Sequence, residues 1–162
     1  MPTPSQTVGP FFGFALPFEG DSDAVPAGAP GSIRIEGQVI DGAGDPTPDA
    51  LLEVWAGGEL ARCRTDAEGA FHFVVSKPAA RRDASGMIHA PHLEVTVFAR
   101  GLLRHLATRI YFPDEAAAND ADPVLQAVDA ARRGTLIARR STGALHFDVR
   151  LQGVDETVFF AL

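Results

Sequence analysis

The chain has 162 residues, 46% hydrophobic and 22% charged, with a formal net charge of −7. That length suits one folded domain, and that composition excludes a disordered chain. The negative balance argues against a nucleic-acid binder and against attraction to an anionic membrane surface; small substrates stay open, because a local cluster can oppose the global sign. Cys63 is the single cysteine, so no intrachain disulfide forms and a reducing, cytoplasmic setting is expected. No apolar run is long enough to span a bilayer, and the proline-broken start does not read as a signal peptide.

Residues 1–31 carry Pro2, Pro4, Pro10, Pro17, Pro26 and Pro30, which forbid a long helix or a central strand. Phe11, Phe12, Phe14, Leu16 and Phe18 share the stretch. It therefore reads as an extended arm that packs on something, a neighbouring subunit in preference to its own domain. Residues 32–162 form the domain proper. Residues 33–40 alternate as a half-buried strand, and 41–46 are dense in turn chemistry. Residues 51–56 form a second strand. Short strands at 60–64 and 70–75 flank 65–69, which reads as a hairpin loop. Residues 77–90 form a loop holding Arg81 and Arg82.

Residues 92–101 have a period of two. Leu93, Val95, Val97 and Ala99 point one way; His92, Glu94, Thr96, Phe98 and Arg100 point the other. The apolar side makes this strand central to a core. The other side begins His-x-Glu, two possible metal ligands about 7 Å apart at their Cα atoms. A metal site needs three or four convergent donors, and His72, His89, His105 and His146 supply no further pair at strand spacing. The pair therefore reads as hydrogen-bonded polar residues.

Residues 107–112 form another strand, with Arg109 and Tyr111 on one face. Tyr111 is the only tyrosine and is by default a core or interface residue. Arg104, His105 and Arg109 gather basic groups that either receive a carboxylate or phosphate or pair with the acidic stretch starting at Asp114. Residues 114–131 predict one or two short helices, with Asp122-Pro123 as a start. Residues 135–139 read as helix or strand, and 145–151 alternate as a last strand. Arg132-Arg133 and Arg139-Arg140 read as solvated or ion-paired charge. The chain ends in the apolar run 158–162. About seven short strands with little helix give an all-β fold, a β-sandwich. Two apolar ends suit a subunit of an assembly. No nucleophile elbow, Walker loop or dinucleotide fingerprint is present. Residues 5–10 offer small polar groups that can line a pocket, without a base to activate a nucleophile.

The segments 3–11, 52–55, 64–69, 90–92, 98–101, 108–112 and 152–160 together resemble the intradiol ring-cleavage dioxygenases, nearly end to end. The resemblance implies a β-sandwich of intradiol dioxygenase type. It also implies a reaction that inserts both atoms of O₂ into a catechol between its hydroxyl-bearing carbons. The family's ferric iron is held by two tyrosines and by two histidines in His-x-His order. Here His92 falls on the first histidine, Glu94 replaces the second, residues 77–90 contain no tyrosine, and Tyr111 matches a strand position that is not a ligand. The resemblance thus implies no catalytic residue and no metal ligand in this chain, with Fe(3+) bound by a homologous beta subunit. The partners it implies are that subunit in a large alpha–beta hetero-oligomer, with protocatechuate and O₂ as substrates and 3-carboxy-cis,cis-muconate as product. Thr7, Gly9 and Pro10 of the arm, with Arg109, would line the substrate pocket at the subunit interface. Phe11 stands where related chains can have tyrosine, and residues 55–64 are fewer than in related chains. Two other readings stay open: a self-sufficient metal enzyme using His92 and Glu94, and a non-catalytic assembly subunit.

Overall fold

Alternating apolar residues build the two sheets that position everything else. The computed structural model describes Gly9 and residues 11–161. In chain order it contains a helical turn α1 (Phe12–Ala15), then β1 (Ser32–Ile40), β2 (Leu51–Ala56), β3 (Glu59–Arg64) and β4 (Ala70–Ser76). The two-residue strands β5 (Arg81–Arg82) and β6 (Ile88–His89) precede β7 (His92–Phe98) and β8 (Leu106–Tyr111). Helices α2 (Ala116–Ala121) and α3 (Pro123–Ala127) and a 3-10 turn (Arg133–Leu136) lead to β9 (Arg139–Ser141), β10 (Ala144–His146) and β11 (Val149–Arg150). One sheet pairs β4 with β1, and β1 in turn with β10 and β11; β9 lies outside β10. The other runs β3-β2-β7-β8, all antiparallel.

Between the sheets, Ile35, Val39, Phe71 and Phe73 meet Leu52, Val54, Leu93, Val95, Val97 and Ile110 in one apolar core. Period-two alternation puts one side of each strand there, and burial of that side drives the two sheets together. This is the all-β sandwich expected from the sequence, with two short helices outside it. Asp122 caps α3 by accepting from the backbone N–H of Val124 and Leu125, and Pro123 fills the first helical position, where no N–H is needed. A second, smaller apolar cluster of Ala90, Tyr111, Leu125 and Leu136 sits outside β8 under these helices.

Three local expectations change. Residues 65–69 are not a hairpin: β3 pairs with β2 and β4 with β1, so the segment carries the chain between sheets. Its chemistry is still that of a turn. Thr65 Oγ1 donates to the Thr47 carbonyl (2.7 Å), and Asp66 Oδ1 accepts from the N–H groups of Glu68 (3.0 Å) and Ala70 (2.8 Å). The turn residues set the reversal, while the core decides which strands pair. The strand expected at 145–151 is broken into β10 and β11. The Phe147 carbonyl presses against β1 at Gly37, where an added Cβ would lie 1.8 Å from that oxygen, and Asp148 Oδ1 accepts from the Gln38 N–H in place of a backbone partner (3.1 Å). The loop 77–90 holds the small β5–β6 ribbon.

The arm divides. Phe12 is buried, Arg64 Nη1 donates to the Gly13 carbonyl (3.3 Å) and Arg62 Nη1 to that of Leu16 (2.9 Å), and Asp23 bridges to Val74. These contacts lay residues 12–23 across β3 and β4 of the same chain. Phe11 and Phe18 project outward, 77% and 66% exposed. Among the described residues no helix is long and apolar enough to cross a membrane.

Candidate functional site

The outer face of β7 and β8 collects the polar residues that alternation keeps out of the core. Register places His92 opposite Tyr111 and Glu94 opposite Arg109. Side chains of directly opposed residues are neighbours, so these four form one patch.

His92 is buried, and its Nδ1 donates to the Ala90 carbonyl at 2.7 Å. Its Nε2 lies 3.9 Å from Glu94 Oε1. Burial pushes the imidazole pKa down; the Ala90 carbonyl opposes this, and the positive charges of Arg109 and Arg81 add to it. Glu94 is half-exposed and receives Arg81 at 2.5 Å, with Arg109 Nη2 at 3.9 Å. Glu94 is thus an acceptor surrounded by cations.

Tyr111 is fully buried, and its hydroxyl donates to Asp122 Oδ1 at 3.0 Å. Its pKa is pushed up to about 12, first by burial, with the Asp122 carboxylate adding and Arg109 opposing. Asp122 is also fully buried. Burial acts to raise its pKa, but donors from Leu125, Ala90 and Tyr111 hold the carboxyl below its usual range. Its Oδ2 accepts from the Ala90 N–H (2.9 Å) and lies 3.6 Å from His89 Nδ1, while His89 Nε2 is 3.0 Å from Asp83 Oδ2.

Arg109 connects this patch to the surface. Its Nη1 donates to the Tyr111 hydroxyl oxygen at 3.3 Å, and its guanidinium lies over the Phe160 ring, 5.8 Å from the centroid. Two clefts flank the ridge made by Trp55 and Glu94. One, about 580 Å³, is lined by His92, Arg81, Pro78, Gly57 and Gly58. The other, about 540 Å³, is lined by Arg109, His105, Thr96, Val124 and Phe160. The second pairs apolar walls with a guanidinium, the chemistry that receives an apolar anion.

The donor set does not fit the iron of the resembled family. That ion takes two tyrosines and two histidines, and this chain has one tyrosine, whose phenol is kept protonated first by burial and then by the Asp122 carboxylate. His92 has Glu94 where a second histidine is required, and Glu94 is engaged by Arg81. Among the described residues no three His, Cys, Asp or Glu side chains converge as a metal site.

Of the residues singled out from the sequence, Arg109 and His105 line one cleft. Gly9 has a positive φ of 76° and does not line it. Thr7 and Pro10 lie outside the described residues. Arg109 does not pair with the acidic stretch at 114; Lys77 takes Asp114 (2.8 Å) and Glu115 (2.6 Å) instead. Arg132 and Arg139 are ion-paired, with Glu156 (3.7 Å) and Asp148 (3.1 Å). Cys63 is buried and free. Asp122 was legible only as a helix start; its bonds to Tyr111 and Ala90 join segments distant in sequence, and no local signal announces them.

No family model matches the chain. It is 41% identical to the protocatechuate 3,4-dioxygenase alpha chain of Burkholderia cepacia, over 98% of this chain and 96% of that one. It is 30% identical to the beta chain of the same organism's enzyme, over 77% of this chain and 66% of that one. Among solved structures, the dioxygenase domain of a dioxygenase–carbohydrate-binding fusion from Streptomyces sp. SirexAA-E superposes with a TM-score of 0.58 at 23% identity, covering 95% of this chain and 100% of that one.

Proposed function

From the premise that this chain belongs to the protocatechuate 3,4-dioxygenase alpha-chain family, we propose that it is the iron-free subunit of a cytoplasmic intradiol dioxygenase. Its partner is a homologous beta chain that binds the ferric iron, and the two assemble as a large alpha–beta hetero-oligomer. The complex cleaves protocatechuate with O₂ to 3-carboxy-cis,cis-muconate. Residues 1–31 act as the interface arm of the 32–162 sandwich, anchored on their own chain through residues 12–23 and turning Phe11 and Phe18 to the neighbour. The observation that carries the reading is the spent donor set: one tyrosine, hydrogen-bonded to Asp122, and a glutamate ion-paired to Arg81 beside the lone buried histidine of β7.

This chain's contribution is then to bind and enclose. Thr7, Gly9 and Pro10 wall a substrate pocket across the subunit interface, Gly9 standing off the Arg109 cleft of its own chain, and Phe11 and Phe18 offer exposed aromatic surface for the neighbour. Arg109 presents a guanidinium to the substrate carboxylate. A cation fixed against Phe160 and Tyr111 loses little freedom on binding, so its charge favours the anionic substrate. In this reading it lowers KM and leaves the chemistry to the partner. The test is co-expression with the homologous beta chain. A coloured complex should co-purify, and Arg109→Ala should raise KM for protocatechuate about tenfold with kcat nearly unchanged. A complex whose KM ignores Arg109→Ala removes the residue from the substrate site.

A further inference from the structure

The polar chain behind Arg109 does more than a helix cap or a core tyrosine requires. Asp122 Oδ1 accepts three hydrogen bonds, from the Tyr111 hydroxyl (3.0 Å), Val124 N–H (2.9 Å) and Leu125 N–H (2.8 Å). The two N–H bonds suffice to cap α3. Tyr111 lies fully buried in an apolar cluster with Leu125, Leu136 and Ala90, where phenylalanine would pack equally well. What neither role explains is the hydroxyl, placed between a buried carboxylate and a guanidinium on the cleft wall.

An ionised carboxylate only accepts, so the Tyr111 hydroxyl must donate to Asp122. Its free lone pairs then face Arg109 Nη1, which donates at 3.3 Å. Arg109 and Tyr111 stand two apart on β8, hence on one face, and the guanidinium is limited on its other sides by the Phe160 ring and by Glu94 at 3.9 Å. We propose that Asp122 and Tyr111 are positioning residues: the buried carboxylate fixes the direction of the Tyr111 hydroxyl, and the hydroxyl fixes the Arg109 guanidinium in the cleft for an aromatic carboxylate. The proposal rests on the reading of Arg109 as the substrate's anion partner. It adds that the orientation of Arg109 is imposed from inside the domain through a neutral phenol.

The test uses the complex with the beta chain and the variant Tyr111→Phe, which keeps the ring in its cluster. KM for protocatechuate should rise about three- to tenfold, the range of one ordinary lost hydrogen bond, with kcat within about twofold. In an Arg109→Ala background the same change should leave KM where it is. A crystal structure of the Tyr111→Phe complex should show the guanidinium moved away from the Phe160 ring. Where Arg109→Ala raises KM, an unchanged KM for Tyr111→Phe, an equal rise in both backgrounds, or an unmoved guanidinium overturns the proposal. If Arg109→Ala itself leaves KM unchanged while the guanidinium still moves in Tyr111→Phe, the substrate reading of Arg109 fails and the positioning contact stands.

Discussion

On the inner side of β7 and β8, Leu93, Val95, Val97 and Ile110 are each 2% exposed or less and belong to one apolar core. On the outer side of the same strands, His92, Glu94, Arg109 and Tyr111 form a polar patch with its own partners. The inner face needs only size and hydrophobicity, and many sequences meet that need. The outer face needs particular atoms at particular distances. Glu94 stands where the resembled family has its second histidine, and the inner face of the same strand is packed without regard to that residue. Fold and site chemistry are separable on opposite faces of one strand.

Changes that cut the inner face should be large and silent in binding. Leu93→Ala should cost about 3 kcal/mol in urea denaturation, while the folded complex keeps its KM for protocatechuate. Gly37→Ala should cost at least about 2 kcal/mol, because the new Cβ meets the Phe147 carbonyl at 1.8 Å and backbone must move. A rise in KM from either variant would show that the two faces are coupled.

Outer-face changes should do the reverse. Arg109→Ala should raise KM about tenfold, or about 1.4 kcal/mol of binding, while the urea midpoint barely shifts. His92 supplies a pH signature. Its folded-state pKa is depressed by burial, so above the ordinary histidine value of about 6.5 it is neutral folded and unfolded alike. As pH falls through that value, the unfolded chain takes up a proton that the folded chain refuses, and stability falls. Urea midpoints measured from pH 7.5 to 5.5 should decline less steeply in His92→Gln; identical slopes would place the imidazole outside the buried patch. The smallest effect belongs to Glu94→Gln, whose ion pairs are half-exposed: stability should stay within about 0.5 kcal/mol. Glu94 Oε1 lies 3.9 Å from the Arg109 guanidinium, so losing that negative charge should lower KM for the anionic substrate slightly, and a raised KM would contradict this.

The sequence carried the inner face well. The alternation at 33–40, 51–56 and 92–99 reads directly as strands because burial of one side dictates it. The hairpin expected at 65–69 failed for a physical reason: Asp66 and Gly69 specify a reversal, but pairing depends on which sheet receives Phe71 and Phe73. The break at 147–148 depends on the space over Gly37, a property of two strands far apart in sequence. At the site, the shared face of Arg109 and Tyr111 followed from spacing alone. Asp122 as the acceptor behind Tyr111 did not, since burial and partner both come from tertiary structure. The acidic stretch at 114 looked like a partner for Arg109 and instead binds Lys77, because β8 carries Arg109 toward Phe160.

The central claim, that this chain holds no ferric iron of its own, is tested by metal content. The chain purified alone from iron-supplemented cells should be folded, colourless and far below one iron per chain, and the same preparation with its beta partner should carry iron and visible absorption. A folded single chain with one iron per molecule and a tyrosinate absorption band would contradict the account.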